Sequence, residues 1–183
     1  MIGILGGMGT QAGLDFCNKL AKLNRGKMDQ KYPLFLLYNK SDVPGRPENI
    51  KKYNKVLQSL IKGCLLLQKS KCKFIVIPCN TAHYWYDDLQ KRIKIPILSM
   101  PKAVYLQTKK ECKTNSKIGI LATEGTLKTG VYNKFFDKNF ELIRPKKSIQ
   151  VHSVNKAIKY VKMGKIKEAE KSIKPAVNFL VKI

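Results

Sequence analysis

The chain has 183 residues, 36 Lys+Arg against 12 Asp+Glu, and a formal net charge of +24. That length suits one large domain or two small ones, and 44% hydrophobic residues supply a core, which excludes wholesale disorder. No apolar run approaches the roughly 20 residues that span a bilayer. The start, MIGILGGMGT, has neither the basic opening nor the cleavage site of a secretory signal, and five cysteines suit a reducing, cytoplasmic setting better than a disulfide framework.

Short β-branched segments alternate with longer periodic ones. Ile2–Leu5, Leu34–Tyr38, Phe74–Ile77, Ile95–Leu98, Ile118–Leu121 and Glu141–Ile143 read as strands. Residues 11–25, 49–70, 82–92, 101–112, 127–138 and 148–181 read as helices, the last breaking near Gly164. The first, third and fifth strands are almost continuously apolar, as parallel strands covered on both faces are. The alternation predicts an α/β fold built on parallel sheets.

One internal echo bears on domain organisation. Ile2–Thr10 reads IGILGGMGT and Ile118–Thr126 reads IGILATEGT, so six of nine positions agree at an offset of 116 residues. Each copy is a strand running through a turn into a helix. Chance likeness between two such units is one explanation. Duplication is the other, and it predicts two similar Rossmann-like α/β domains, 1–99 and 100–183, the second incomplete because two full copies of that offset need more residues than the chain has.

The charge does not read as a nucleic-acid footprint. Only Arg25, Arg46, Arg92 and Arg144 are arginine, the residue that bidentate base and phosphate contacts favour. The lysines are scattered along the chain, as on a solvated surface. No specific nucleic acid and no membrane are expected as partners, and the positive field would draw small dianionic substrates.

The strongest local signal is FIVIPCNTAH, Phe74–His83. A buried strand ends at Pro78, Cys79-Asn80-Thr81 forms a polar turn, and a helix is predicted to begin near Ala82. Ligands of parallel α/β sheets bind at the carboxyl ends of strands, and a helix start favours a thiolate there. Asn80 and Thr81 could cap that helix and present polar groups to an anion. A buried cysteine packed as a small hydrophobe is the competing reading. Cys17 and Cys64 lie inside helical patterns, Cys112 ends one, Cys72 sits in the basic turn before the third strand, and no C-x-x-C occurs, so no metal site is expected. His83 is either a ligand contact or a residue of the helix's first turn, and His152 reads as structural.

Gly7-Met8-Gly9-Thr10-Gln11-Ala12 satisfies G-x-G-x-x-A after a strand. No acidic residue stands at the end of a second strand at the expected distance, so the turn suits a carboxylate as well as a phosphate. Asn39-Lys40-Ser41-Asp42 resembles a guanine-recognition tetrapeptide, but no G-x-x-x-x-G-K-[ST] loop accompanies it. Arg46, in the proline-rich loop after the second strand, could grip a carboxylate bidentately.

Taken together, GILGGMGT at 3–10, PCNTAH at 78–83 and IGILATEGTLKTGVY at 118–132 resemble the aspartate/glutamate racemase family, in order and spacing along nearly the whole chain. The pattern is most similar to the branch of aspartate and broad-specificity amino-acid racemases. Glutamate racemases have Asp-Ser where this chain has Gly6-Gly7.

The resemblance implies a cofactor-independent racemase of acidic amino acids, with two α/β domains, a site at their interface and a homodimer. It implies two thiols on opposite faces of the substrate Cα, the first at Cys79. It places Met8, Gly9, Asn80, Thr81, Thr123 and Thr126 around the substrate's carboxylate and amine, and Arg46 at its side-chain carboxylate. The family's second cysteine stands in a Gly-Cys-Thr-Glu turn, which is not found in these 183 residues. The echo puts its place at about residue 195, so a truncated and impaired enzyme is expected. Two other classes stand beside this one: a non-catalytic binder of small carboxylates, and a nucleotide-binding module resting on the glycine turn.

Overall fold

A computed structural model describes residues 1–45, 53–136 and 139–183. Strand β1 (Ile2–Gly6) is buried from Gly3 onward. It has parallel partners on both sides, β2 (Phe35–Asn39) and β3 (Phe74–Val76), and β4 (Ile97–Leu98) pairs with β3. The sheet order is β2-β1-β3-β4, all parallel. An α/β fold with parallel strands is what the alternation of short apolar and longer periodic segments predicted.

Helices cover this sheet because their apolar residues recur on one stripe. Helix α1 is Thr10–Leu23. In α2 (Tyr53–Lys69), Val56, Leu57, Leu60, Ile61, Cys64 and Leu67 are all buried, the spacing of one helical face. They meet Leu5, Ile75, Ile77, Trp85, Leu89 and Ile97 in a single hydrophobic cluster. Fully burying one such aliphatic side chain contributes roughly 1.5–3 kcal/mol before entropy is counted. A 3₁₀ segment, Thr81–Trp85, runs into the short helix α3 (Tyr86–Gln90). This replaces the single α-helix predicted over 82–92.

The chain divides into two compact units, Met1–Met100 and Pro101–Ile183, with α4 (Met100–Glu111) starting at the division. In the second unit β5 (Lys117–Gly119) pairs in parallel with β6 (Glu141–Ile143), Ile118 opposite Leu142. Two short helices lie between them, α5 (Glu124–Thr129) and α6 (Asn133–Phe136). They correct the continuous helix predicted over 127–138. Gly130 closes α5 in the left-handed region at φ 61°, which ends the helical hydrogen-bond ladder.

Phe136, Phe140 and Tyr105 form an aromatic cluster with centroids 5.4–6.2 Å apart, and Tyr105 accepts a hydrogen bond from Asn139 at 2.7 Å. The rest of this unit is helical: α7 (Lys147–Ile149), a π-helical stretch Gln150–Asn155, α8 (Lys156–Lys162) and α9 (Ile166–Val181). The predicted break falls at Gly164, φ 73°. Ala169 and Ala176 of α9 are buried, as are Val154 and Ala157. No helix among the described residues is long and apolar enough to cross a membrane.

Candidate active site

In the sheet order β2-β1-β3-β4 the chain leaves β1 towards one side and reaches β3 on the other. The crevice at the carboxyl ends of β1 and β3 is therefore the topological switch point, where ligands of open parallel sheets bind. Ile4 is level with Val76. The turn Gly7-Met8-Gly9 after β1 and the turn Cys79-Asn80-Thr81 after β3 thus emerge side by side at the same edge.

The first turn is fixed by Gly7. Its φ is +87°, and a Cβ there would sit 2.3 Å from the carbonyl carbon of Lys40 and 2.4 Å from its oxygen. Only glycine lets the turn pass this close to the backbone after β2. Gly9 then stands at the N-cap of α1 in extended conformation, with no side chain to occupy the helix start. The Met8 side chain belongs to the hydrophobic core, 6% exposed. What Met8 can offer a ligand is its backbone.

The second turn carries Cys79, 9% exposed at the rim of the core. Its backbone N–H donates to the Ile77 carbonyl at 2.7 Å, which turns the chain sharply after Pro78. Asn80 precedes the 3₁₀ segment with helical backbone angles, φ −56° and ψ −52°, and its side chain makes no capping hydrogen bond. The predicted Asn80 cap is corrected. A capping side chain reaches the first amides from an extended backbone, and Asn80 is already in the helical region. A five-residue 3₁₀ stretch follows Cys79, so the aligned dipole behind the thiol is shorter than the predicted helix would supply.

His83 is a clamp and not a free base. Its Nε2 accepts the N–H of Met100 at 3.1 Å, which leaves Nδ1 as the protonated nitrogen, donating to the Cys79 carbonyl at 2.9 Å. Burial lowers its pKa below the ordinary imidazole value of 6.5, against the pull of its backbone partners. The ring stays neutral and ties the Cys79 turn to the start of α4. Around it, the Trp85 indole donates to the Tyr53 carbonyl at 3.1 Å and the Tyr53 hydroxyl donates to Asp88. Desolvation and that carboxylate push the Tyr53 phenol up to about 12.

Lys40 was read only as part of a coincidental tetrapeptide. It is 8% exposed, and its ammonium donates to both oxygens of Asp42 at 2.8 and 2.9 Å. That bond holds the Asp42 carboxyl below the usual carboxylate range, and the tetrapeptide is spent on itself. Arg46 lies outside the described residues. All five cysteines are unpaired. Cys64 and Cys72 are buried, burial pushing the Cys64 thiol up to about 12. No cluster that could hold a metal ion occurs among the described residues.

In the second unit, Thr123 is the N-cap of α5. Its Oγ1 accepts the Thr126 N–H at 3.2 Å and lies 3.0 Å from the Thr126 hydroxyl. Thr126 is 2% exposed. The two threonines engage each other, which is a sufficient structural reason for both. Here the echo also diverges: Thr10 opens α1 after an uncapped glycine, whereas its counterpart Thr126 is the third residue of a threonine-capped helix. Gln150 had no sequence signal. It is buried, and its amide donates to the Ala122 carbonyl at 3.0 Å.

Comparison with known proteins agrees with this fold. The sequence pattern of the Asp/Glu/hydantoin racemases matches residues 5–182. Broad specificity amino-acid racemase RacX of Bacillus subtilis is 29% identical over 166 residues, covering 88% of this chain and 71% of that protein. Glutamate racemase of Corynebacterium diphtheriae is 35% identical over 88 residues, 48% of this chain and only 30% of its own length. Among solved structures, Picrophilus torridus aspartate racemase superposes with a TM-score of 0.83 at 29% identity, covering 97% of this chain and 74% of that one.

Proposed function

Because this chain belongs to the Asp/Glu/hydantoin racemase family, we propose that it acts on the Cα proton of an acidic amino acid, with Cys79 as the base and no cofactor. The observation that carries this reading is the position of Cys79, in the turn that leaves β3 at the switch point and beside the glycine turn that leaves β1. A Cα proton is weakly acidic, so the site has to stabilise developing negative charge and hold the base in place. The amides of the Gly7–Gly9 turn and the start of α1 serve the first need. The His83 clamp on the Cys79 carbonyl serves the second.

Met8 and Gly9 contribute backbone groups to the substrate's carboxylate, and Asn80 and Thr81 contribute from the second turn. Arg46 takes the side-chain carboxylate. The resemblance adds Thr123 and Thr126 as substrate contacts. The lysine-rich surface and its net charge of +24 raise the local concentration of acidic amino acids. A homodimer is part of the same proposal.

In the step proposed, the Cys79 thiolate takes the Cα proton and becomes a thiol. The electron pair stays on the carbon and spreads into the substrate carboxylate, and the thiol exchanges its proton with solvent before returning it. Cys17 and Cys112 lie in or beside helices, and Cys64 and Cys72 are buried. None of them stands in a second strand-end turn like that of Cys79. The one thiol that residues 1–183 hold in such a turn serves one face of the carbon.

The test is incubation with each enantiomer of aspartate and glutamate in D₂O, with Hα followed by NMR and chirality by chromatography. One enantiomer should exchange Hα for deuterium and keep its configuration. Cys79→Ser should slow exchange by about 10²-fold or more, the ordinary contribution of a positioned base. Full racemisation by residues 1–183 alone would overturn the one-thiol mechanism. Binding without exchange would leave a non-catalytic carboxylate binder, and no binding would sink the reading.

A further inference from the structure

The second unit contains a side-chain relay, buried at Gln150 and exposed at Glu124, whose direction is forced by its ends. The Gln150 amide nitrogen donates both its hydrogens, one to the Ala122 carbonyl at 3.0 Å and one to Asn155 Oδ1 at 2.8 Å. The Asn155 amide nitrogen in turn donates to Glu124 Oε1 at 3.1 Å. Ala122 O and the Glu124 carboxylate only accept. Both amides are thereby fixed in orientation, and Gln150 Oε1 is left buried with no hydrogen-bond partner among the described residues. Gln150 is 7% exposed and opens a π-helical stretch, Gln150–Asn155. Such stretches are rare and recur at functional positions.

The relay grips two points, Ala122 and Glu124, on either side of Thr123. It spans the turn between β5 and α5 in which Thr123 caps Thr126. An apolar residue at 150 would fill the same volume. A fully buried amide with one unmet acceptor is a costly way to fill space, and that cost points to a need for the turn to hold one conformation.

We propose that Gln150 is a positioning residue. Through Asn155 and Glu124 it fixes the Ala122–Thr126 turn in the conformation that receives the acidic amino acid; Glu124 serves the relay as a hydrogen-bond acceptor through Oε1, while its Oε2 pairs with Lys128 at 3.5 Å on the surface. The ligand half of this proposal rests on the racemase reading and on the substrate role of Thr123 and Thr126. The conformational half does not.

The test uses the full chain with Gln150→Leu and Glu124→Gln. Glu124→Gln keeps an acceptor for Asn155 and removes the charge, together with an exposed ion pair to Lys128 that contributes little to stability. Amide hydrogen exchange at Thr126 and Leu127 should accelerate about tenfold in Gln150→Leu, the ratio one lost hydrogen bond of ordinary strength corresponds to, while Ile120 in the β5–β6 ladder keeps its rate. In Glu124→Gln both amides should stay protected. Uniform acceleration across the unit, unchanged exchange at Thr126, or loss of protection in Glu124→Gln would each overturn the relay.

In the D₂O exchange assay Gln150→Leu should raise KM for the amino acid about tenfold and change kcat less than about twofold, the pattern of lost binding without lost chemistry. An unchanged KM beside altered amide protection would refute the ligand role. If the unsubstituted chain neither binds nor exchanges any acidic amino acid, the racemase reading fails, and the amide-exchange arm still decides the relay.

Discussion

Replacing Gly7 by alanine isolates how tightly the first turn is built. Two penalties act at once. An L-residue at φ +87° costs about 1–2 kcal/mol relative to glycine. The new methyl would also meet backbone atoms of Lys40 and Ser41 at 2.3–2.6 Å, well inside the 3.5–4.0 Å at which carbon contacts become favourable. Backbone cannot swing aside as a side-chain tip can, so a further cost of about 1–3 kcal/mol follows, as for overpacked cores. The sum is about 2–5 kcal/mol, a large part of the roughly 5–15 kcal/mol of a typical domain. Gly13→Ala is the control. It lies in α1, its methyl would find its nearest neighbour, the Cα of Gly6, at 3.4 Å, and helix propensity favours alanine. Urea unfolding followed by Trp85, the single tryptophan and fully buried in the first unit, reports both variants. Gly7→Ala should lower the midpoint strongly at unchanged slope, and Gly13→Ala should leave it level or raise it. A Gly7→Ala protein within about 1 kcal/mol of the parent would refute the close passage of the first turn over the backbone after β2.

Two further outcomes follow from the hydrogen bonds described. The pKa of His83 is depressed in the folded state, so the unfolded chain takes up a proton first as pH falls below 6.5. Stability is intact above that pH and is lost as pH drops from 6.5 towards the folded value. His83→Gln, whose amide can still bridge the Cys79 carbonyl and the Met100 amide, should flatten the decline of the melting temperature between pH 6.5 and 5.5. An equally steep decline in the variant would show that other groups drive it. Thr123→Ala removes the acceptor for the Thr126 amide and should cost the second unit about 1 kcal/mol, the usual worth of an N-cap. Thermal unfolding monitored by circular dichroism measures it, and an unchanged transition would deny the cap its role.

Much of this fold is legible in the sequence, because periodicity reports burial directly. The apolar runs Ile2–Leu5 and Phe74–Ile77 announce central parallel strands, and the pair of turns after them announces the candidate site. The misses have local causes. The pattern of 127–138 is amphipathic throughout, and only the left-handed conformation of Gly130 shows that the helix stops there. Residues 82–92 carry helical spacing, but the side chains of Trp85 and His83 bind backbone groups of other segments and draw the first turns into 3₁₀ form. Asn80 looked like a cap because residue type is visible in sequence and backbone angle is not. Lys40 and Gln150 left no trace, since a buried lysine or glutamine is indistinguishable from a surface one until its partners are known.

The strand order also sets the timing of assembly. Ile2 in β1 needs Phe35 on one side and Phe74 on the other, so β1 is synthesised well before its second neighbour exists. While the intervening chain is being made, an apolar ribbon with one open hydrogen-bonding edge waits for its second neighbour. Such an edge recruits foreign strands, and pairings distant in sequence form slowly. Expression yield should therefore respond more to translation rate, temperature and chaperone supply than to the equilibrium stability of the finished sheet.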